Sequence, residues 1–188
     1  MSHMQVGDWQ PYDEAGRRKY VNGAERKRFL QAADQMGNEV RALCYVLAYS
    51  GCRISEALNL SRDQIDHERG ALTIRTLKRR RLRFRMVPIP RRLIAMLMAL
   101  PGHANGRIFV MHRSTAWRQV KSVMFTAGIH GPMATAKGLR HGFGIRAAGS
   151  SVPPNLIQKW LGHASGVTTA IYLDAVGVEE REFAERMW

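Results

Sequence analysis

Between residues 69 and 173 the chain carries no aspartate or glutamate, yet it carries eighteen lysines and arginines. Every one of the fifteen carboxylate side chains lies at or before Glu68, or at or after Asp174. Such a stretch cannot neutralise itself, so its cations are expected at the surface, where together they project a positive potential that attracts a polyanion. The formal net charge of +14 points the same way. Nucleic acid is the first candidate; an anionic membrane surface is second, because the basic residues do not line one face of an amphipathic helix.

With 188 residues, 45% of them hydrophobic, the chain is long enough for one domain with a sizeable core. Its most apolar run, residues 93 to 100, is far too short to span a bilayer. Cys44 and Cys52 fall in or beside an apolar helical pattern, where free thiols act as small hydrophobes. A reducing, cytoplasmic, DNA-associated setting is therefore expected. The opening "MSHM" reads as a tag remnant, and residues 1–21 as that remnant plus a linker.

Asn22, followed three residues later by Glu25, reads as a capping box that starts a helix over 23–34. A second helix is predicted over 38–50, with Val40, Leu43, Cys44 and Leu47 on one face and Gly51 ending it. "CRISEALNL" begins a short third helix. Over 67–90 the period changes to two, with Leu72, Ile74 and Thr76 alternating with polar neighbours. Leu82, Phe84, Met86 and Val87 then supply the apolar positions of a returning strand. This predicts a β-hairpin with an arginine-rich tip. Helices are predicted again over 91–100, 114–127, 137–149, 154–161 and 167–173, and "GRIFV" at 106–110 is too short to assign. The expected fold class is α+β, mainly α-helical, with a small antiparallel β-sheet.

Taken singly, the polar residues in this frame are unremarkable. Arg53 and Glu56 read as a surface i,i+3 ion pair, Lys78 as one of several cations at the hairpin tip, and Lys137 and Arg140 as a solvated helical pair. His163 follows a glycine that ends a helix, and a turn histidine is more often structural; Tyr172 alone reads as a half-buried helix residue.

Their order is more specific. "YSGCRISEAL", the hairpin lysine, "KGLRHGFG", "LGHAS" and "TAIYLDA" together resemble the tyrosine recombinase, or phage integrase, family. Five separated motifs agree in order and in flanking residues over roughly residues 22–174. The resemblance implies the DNA breaking-rejoining fold of that family's catalytic domain, with 22–174 as the domain and 175–188 as a tail. It also assigns Arg53, Lys78, Lys137, Arg140, His163 and Tyr172 to the active site. The third position is most often histidine in the family; here it is Lys137, so the base that activates Tyr172 stays open. His130, seven residues upstream, does not fit the motif.

These residue types suit phosphoryl transfer without a metal. A metal cage would need carboxylates, which the stretch from 69 to 173 lacks. Two guanidiniums present charged planar forks to phosphate oxygens, the role expected of Arg53 and Arg140, and His163 adds a hydrogen bond. By resemblance, Tyr172 attacks phosphorus to give a 3′-phosphotyrosyl link, and Lys78 protonates the leaving 5′ oxygen. No nucleotide cofactor and no metal are expected, because one phosphodiester is exchanged for another. Arg79, Arg80, Arg81, Arg83 and Arg85 are expected to grip backbone phosphates. The implied partners are double-stranded DNA, a homo-tetramer on paired sites in the full-length protein, and accessory DNA-bending proteins. The tail after Tyr172 is acidic, then apolar at Phe183, Met187 and Trp188, and is expected to dock in cis or on a neighbouring protomer. Two rival readings are a type IB topoisomerase, which would relax plasmids without a specific site, and a DNA-binding module that forms no covalent product.

Overall fold

In the computed structural model, α2 (Asn38–Ser50) forms the centre of the fold. The structure describes residues 10–76 and 83–163. Eight residues of α2 are buried, including Leu43, Cys44, Val46 and Leu47, so it is apolar on nearly every side, as a helix enclosed by others must be. Around it pack α1 (Gly23–Ala33), α3 (Ile54–Leu58), α4 (Arg91–Met98), α5 (Arg113–Thr126) and α6 (Ala136–Gly149). The last of the described helices, α7 (Pro154–Leu161), lies against α6 and the sheet.

The sheet has three antiparallel strands in the order β1 (Ile65–Asp66), β2 (Ala71–Thr76), β3 (Arg83–Pro88). Leu72 pairs with Val87, Ile74 with Arg85 and Thr76 with Arg83. The predicted hairpin is present, and β1, a two-residue strand that pairs Ile65 with Leu72, extends it. The phase of β3 differs from the apolar reading of its sequence. Val87 is buried, but Phe84 is 53% exposed and Arg85 takes the inward position opposite Ile74.

The helix ends follow their local chemistry. Asn22 Oδ1 accepts from Glu25 N at 2.8 Å, and Glu25 Oε2 accepts from Asn22 N at 2.9 Å, the reciprocal bonds predicted for α1. Gly51, at φ 61°, ends α2 where a side chain would meet the Phe143 ring at 2.7 Å. Gly142 on α6 serves a different need: a Cβ there would come within 2.0 Å of the Val21 carbonyl oxygen. Val21 is itself fully buried and donates to Gly138 O, so ordered contacts begin before residue 22. Arg18 also reaches forward, clasping Glu25 through both terminal nitrogens. Ile108 and Phe109, in the unassigned "GRIFV", are core residues. Cys44 and Cys52 are buried thiols, and burial pushes their pKa up to about 12 and about 11. No helix among the described residues is long and apolar enough to cross a membrane. The predicted helix over 167–173 and the tail lie outside the described residues.

Candidate active site

Three chain reversals bring the site together. The first is the turn between α2 and α3. Gly51 stops α2, and Arg53 then becomes the N-cap of α3 in extended conformation. Glu56, at the third position of the helix, accepts from Arg53 N at 3.0 Å and from Arg53 Nη1 at 2.9 Å. Its side chain is 0% exposed, so this pair is not the surface ion pair of the sequence reading. Burial alone would raise the Glu56 pKa, but Arg85 and then Arg53 outweigh it and hold the carboxyl below the usual range.

The second reversal leads into α6. Thr135 caps this helix, its hydroxyl accepting from Gly138 N at 3.0 Å, and α6 begins at Ala136, one residue before the predicted start. Lys137 stands exposed in the first turn, while Arg140, one turn on, is 3% exposed. Arg140 donates from Nη1 to Gly51 O at 2.8 Å and from Nη2 to Leu161 O at 2.6 Å. These carbonyls belong to the C-terminal ends of α2 and α7, where helix dipoles favour a cation. Two helix-terminal carbonyls thus hold the buried guanidinium in place.

The third reversal ends α7. Gly162, at φ 66°, closes it with a pair of bonds in which Gly162 N donates to Lys159 O and His163 N to Gln158 O. His163 is 7% exposed. Burial first, then the positive charges of Arg140 and Arg53, lower its pKa to about 3. At neutral pH it is an uncharged imidazole, one nitrogen donating and the other accepting.

Arg53, Lys137 and Arg140 line one cleft of about 510 Å³, together with Ser55, Arg113, Trp117 and Thr135. His163 borders a second hollow of about 240 Å³ with Thr76, Arg83, Arg85 and Lys159. The two are tied through Glu56, because Arg85 Nη2 donates to its Oε2 at 2.6 Å while Arg53 binds Oε1. Arg85 was expected among the surface phosphate contacts. It is instead 5% exposed and fully engaged inside the protein, because the inward phase of β3 carries it to Glu56. Arg83 remains on the surface, at the β3 end of the hairpin. Lys78, Arg79, Arg80, Arg81 and Tyr172 lie outside the described residues.

The sequence profile of the phage integrase family matches residues 19–176. The chain belongs to that family. It is 29% identical over 180 residues to tyrosine recombinase XerA of Pyrococcus furiosus, covering 89% of this chain and 61% of that protein. A crystal structure of XerA recombinase superposes with a TM-score of 0.76 at 27% identity, covering 89% of this chain and 64% of the other. The fold is also that of XerH site-specific recombinase bound to its palindromic difH substrate in a post-cleavage complex. There the TM-score is 0.77 at 23% identity, covering 97% of this chain and 55% of the other. The chain thus spans less than two thirds of each of these relatives.

The integrase motifs did not point to Arg113, Trp117, Ser55 or Thr135. Arg113 Nε donates to Ser55 Oγ at 3.2 Å, linking the start of α5 to α3 at the edge of the cleft, and Trp117 is 52% exposed beside it. Only the position of Thr135 before a helix was visible in the sequence, as an N-cap type of residue. The roles of Glu56 and Arg85 depend on contacts across 29 residues of chain.

Proposed function

We propose that this chain is the catalytic domain of a site-specific DNA recombinase that cuts and rejoins strands through a 3′-phosphotyrosyl intermediate. The observation that carries the reading is the meeting of Arg53, Lys137 and Arg140 in one cleft, with an uncharged His163 within the electrostatic reach of both guanidiniums. Arg53 and Arg140 bind the non-bridging oxygens of the scissile phosphate and stabilise the charge that grows on them as phosphorus becomes five-coordinate. Each is held from behind, one by Glu56 and the other by two carbonyls, so neither has to be reorganised when the phosphate arrives. His163 donates one N–H to the same oxygens, and the bound anion raises its proton affinity.

Tyr172 releases its phenolic proton to solvent, the phenolate being favoured by nearby cations, and its Oη forms the new bond to phosphorus as the bond to the 5′ oxygen breaks, while Lys78 delivers the proton that oxygen takes up. Return attack by a 5′ hydroxyl reverses both bond changes and reseals the strand. Duplex DNA is the partner, and exposed Arg83, Arg113, Arg118, Lys137 and Lys159 supply phosphate contacts on this side. XerH, captured with its substrate after cleavage, supports that assignment through the shared fold. Full-length chains are proposed to work as tetramers on paired sites, with accessory bending proteins.

The test uses nicked suicide duplexes with randomised half-sites. The wild-type chain is expected to form a protease-sensitive covalent adduct. Tyr172→Phe abolishes it while leaving salt-dependent binding intact, and an adduct surviving in Tyr172→Phe rejects the reading. A 5′-bridging sulfur, which leaves without protonation, is expected to rescue Lys78→Ala.

A further inference from the structure

From the contacts of one buried side chain we infer that Arg85 is a positioning residue of the transesterification, aligning Arg53 through Glu56 and the His163 turn through the Trp160 carbonyl. The inference rests on the phosphate-binding roles proposed for Arg53 and His163. Arg85 uses each of its three nitrogens on a different element. Nη2 donates to Glu56 Oε2 on α3 at 2.6 Å, Nε to Trp160 O near the end of α7 at 2.7 Å, and Nη1 to Thr76 Oγ1 at the end of β2 at 2.9 Å. Its side chain is 4% exposed. Gly162 packs directly on it: a Cβ there would sit 3.1 Å from Arg85 Cδ and from Nη1. The residue immediately before His163 therefore rests on this guanidinium.

The geometry needs an arginine. A planar fork can aim three donors in fixed directions at a carboxylate, a carbonyl and a hydroxyl, whereas a lysine offers one nitrogen on a flexible stem. Stability alone does not explain the arrangement, because a buried ion pair replaced by apolar groups of similar shape is often no less stable. What such a replacement would lose is direction. Arg53 would lose the fixed carboxylate that aims it, and the His163 turn would lose its tether to the strand. One side chain thus links the elements that carry two of the proposed active-site groups, Arg53 and His163.

Two variants and two readouts test this. In Glu56→Gln/Arg85→Met both charges go together, so the fold is expected to survive by urea titration. Adduct formation on the suicide duplex that wild type cleaves should then fall about 100-fold, the cost of misplacing reacting groups by about 1 Å, with duplex affinity unchanged. A folded double variant that cleaves at the wild-type rate would overturn the inference. The second readout needs no DNA. In Arg85→Lys, which keeps the charge but loses the fork, the loosened turn opens His163 to water, and NMR titration should show it protonating at a higher pH than in wild type. In wild type it stays neutral to far lower pH. Identical His163 titrations in the two proteins would refute the tether even if no duplex is cleaved. Absence of an adduct in wild type, by contrast, rejects the proposed reaction and leaves the NMR result to judge Arg85.

Discussion

Among the described residues two helices begin with a glutamate at the third position, and they use it differently. At α1 the box is reciprocal. Asn22 accepts from Glu25 N, Glu25 accepts from Asn22 N, and Arg18 closes over the carboxylate from outside, with side chains 23% and 12% exposed. At α3 the N-cap is Arg53, whose guanidinium has donors only and cannot accept from the Glu56 N–H. One half of the cap is lost. Glu56 still accepts from Arg53 N, but its carboxylate is completely buried and shared by two arginines. The first arrangement stabilises a helix; the second gives up a capping bond to aim a guanidinium into a cleft.

Breaking the two glutamates should therefore give unequal results. Glu56→Ala leaves Arg85 buried without its carboxylate and should cost about 3–5 kcal/mol, or prevent folding. Glu25→Ala, on the more open helix start, should cost about 1–2 kcal/mol, the range of a lost cap with a partly exposed ion pair. Urea unfolding of the two variants checks the order, and equal losses would mean that burial of Glu56 adds nothing.

Acid should separate the regions as well. Glu56 has a lowered pKa in the folded state, so its contribution is complete above the unfolded carboxyl range and is lost as pH falls through the lower folded value. His163 is lowered from 6.5 to about 3, so below about pH 6.5 the unfolded chain takes up a proton that the folded chain refuses, and stability falls with pH toward 3. Wild type should lose stability between pH 6.5 and 4.5, before most carboxylates titrate. His163→Gln should flatten that limb, whereas Glu25→Gln should leave it in place.

The smallest effect on stability is expected for Arg53→Asn. It restores an accepting N-cap to α3 while removing one of the ion-pair partners of Glu56, so the change should stay within about 1 kcal/mol. Adduct formation should nevertheless fall by about 100-fold or more, as expected on losing a transition-state donor. A variant that keeps both stability and cleavage would place Arg53 outside the chemistry.

The helix starts and stops were legible in the sequence because their causes are local. Asn22 with Glu25, Gly51 and Gly162 each specify a boundary within a few residues, and α2 runs over the predicted 38–50. The strand β1 escaped because two residues carry no period. In β3, Phe84 and Met86 suggested the inward phase, but Arg85 turned inward because its carboxylate partner arrives from α3. The same blindness hid Glu56, whose spacing from Arg53 is that of an ordinary surface pair and whose burial only the tertiary fold creates. A stretch of eighteen cations without a carboxylate favours keeping them at the surface, where they project a positive potential. Arg140 and Arg85 show the two ways around that rule, helix-terminal carbonyls in one case and a glutamate from outside the stretch in the other.

The central claim is that cationic and neutral donors gather around one phosphorus atom. A crystal structure of the chain with a cleaved DNA half-site and orthovanadate tests it most directly. The expected result is a five-coordinate vanadate whose equatorial oxygens accept from Arg53, Arg140 and His163, with Tyr172 Oη and the DNA 5′ oxygen at the two apices. Vanadate bound away from both guanidiniums, or DNA crossing the molecule without reaching the cleft of Arg53 and Arg140, would contradict it.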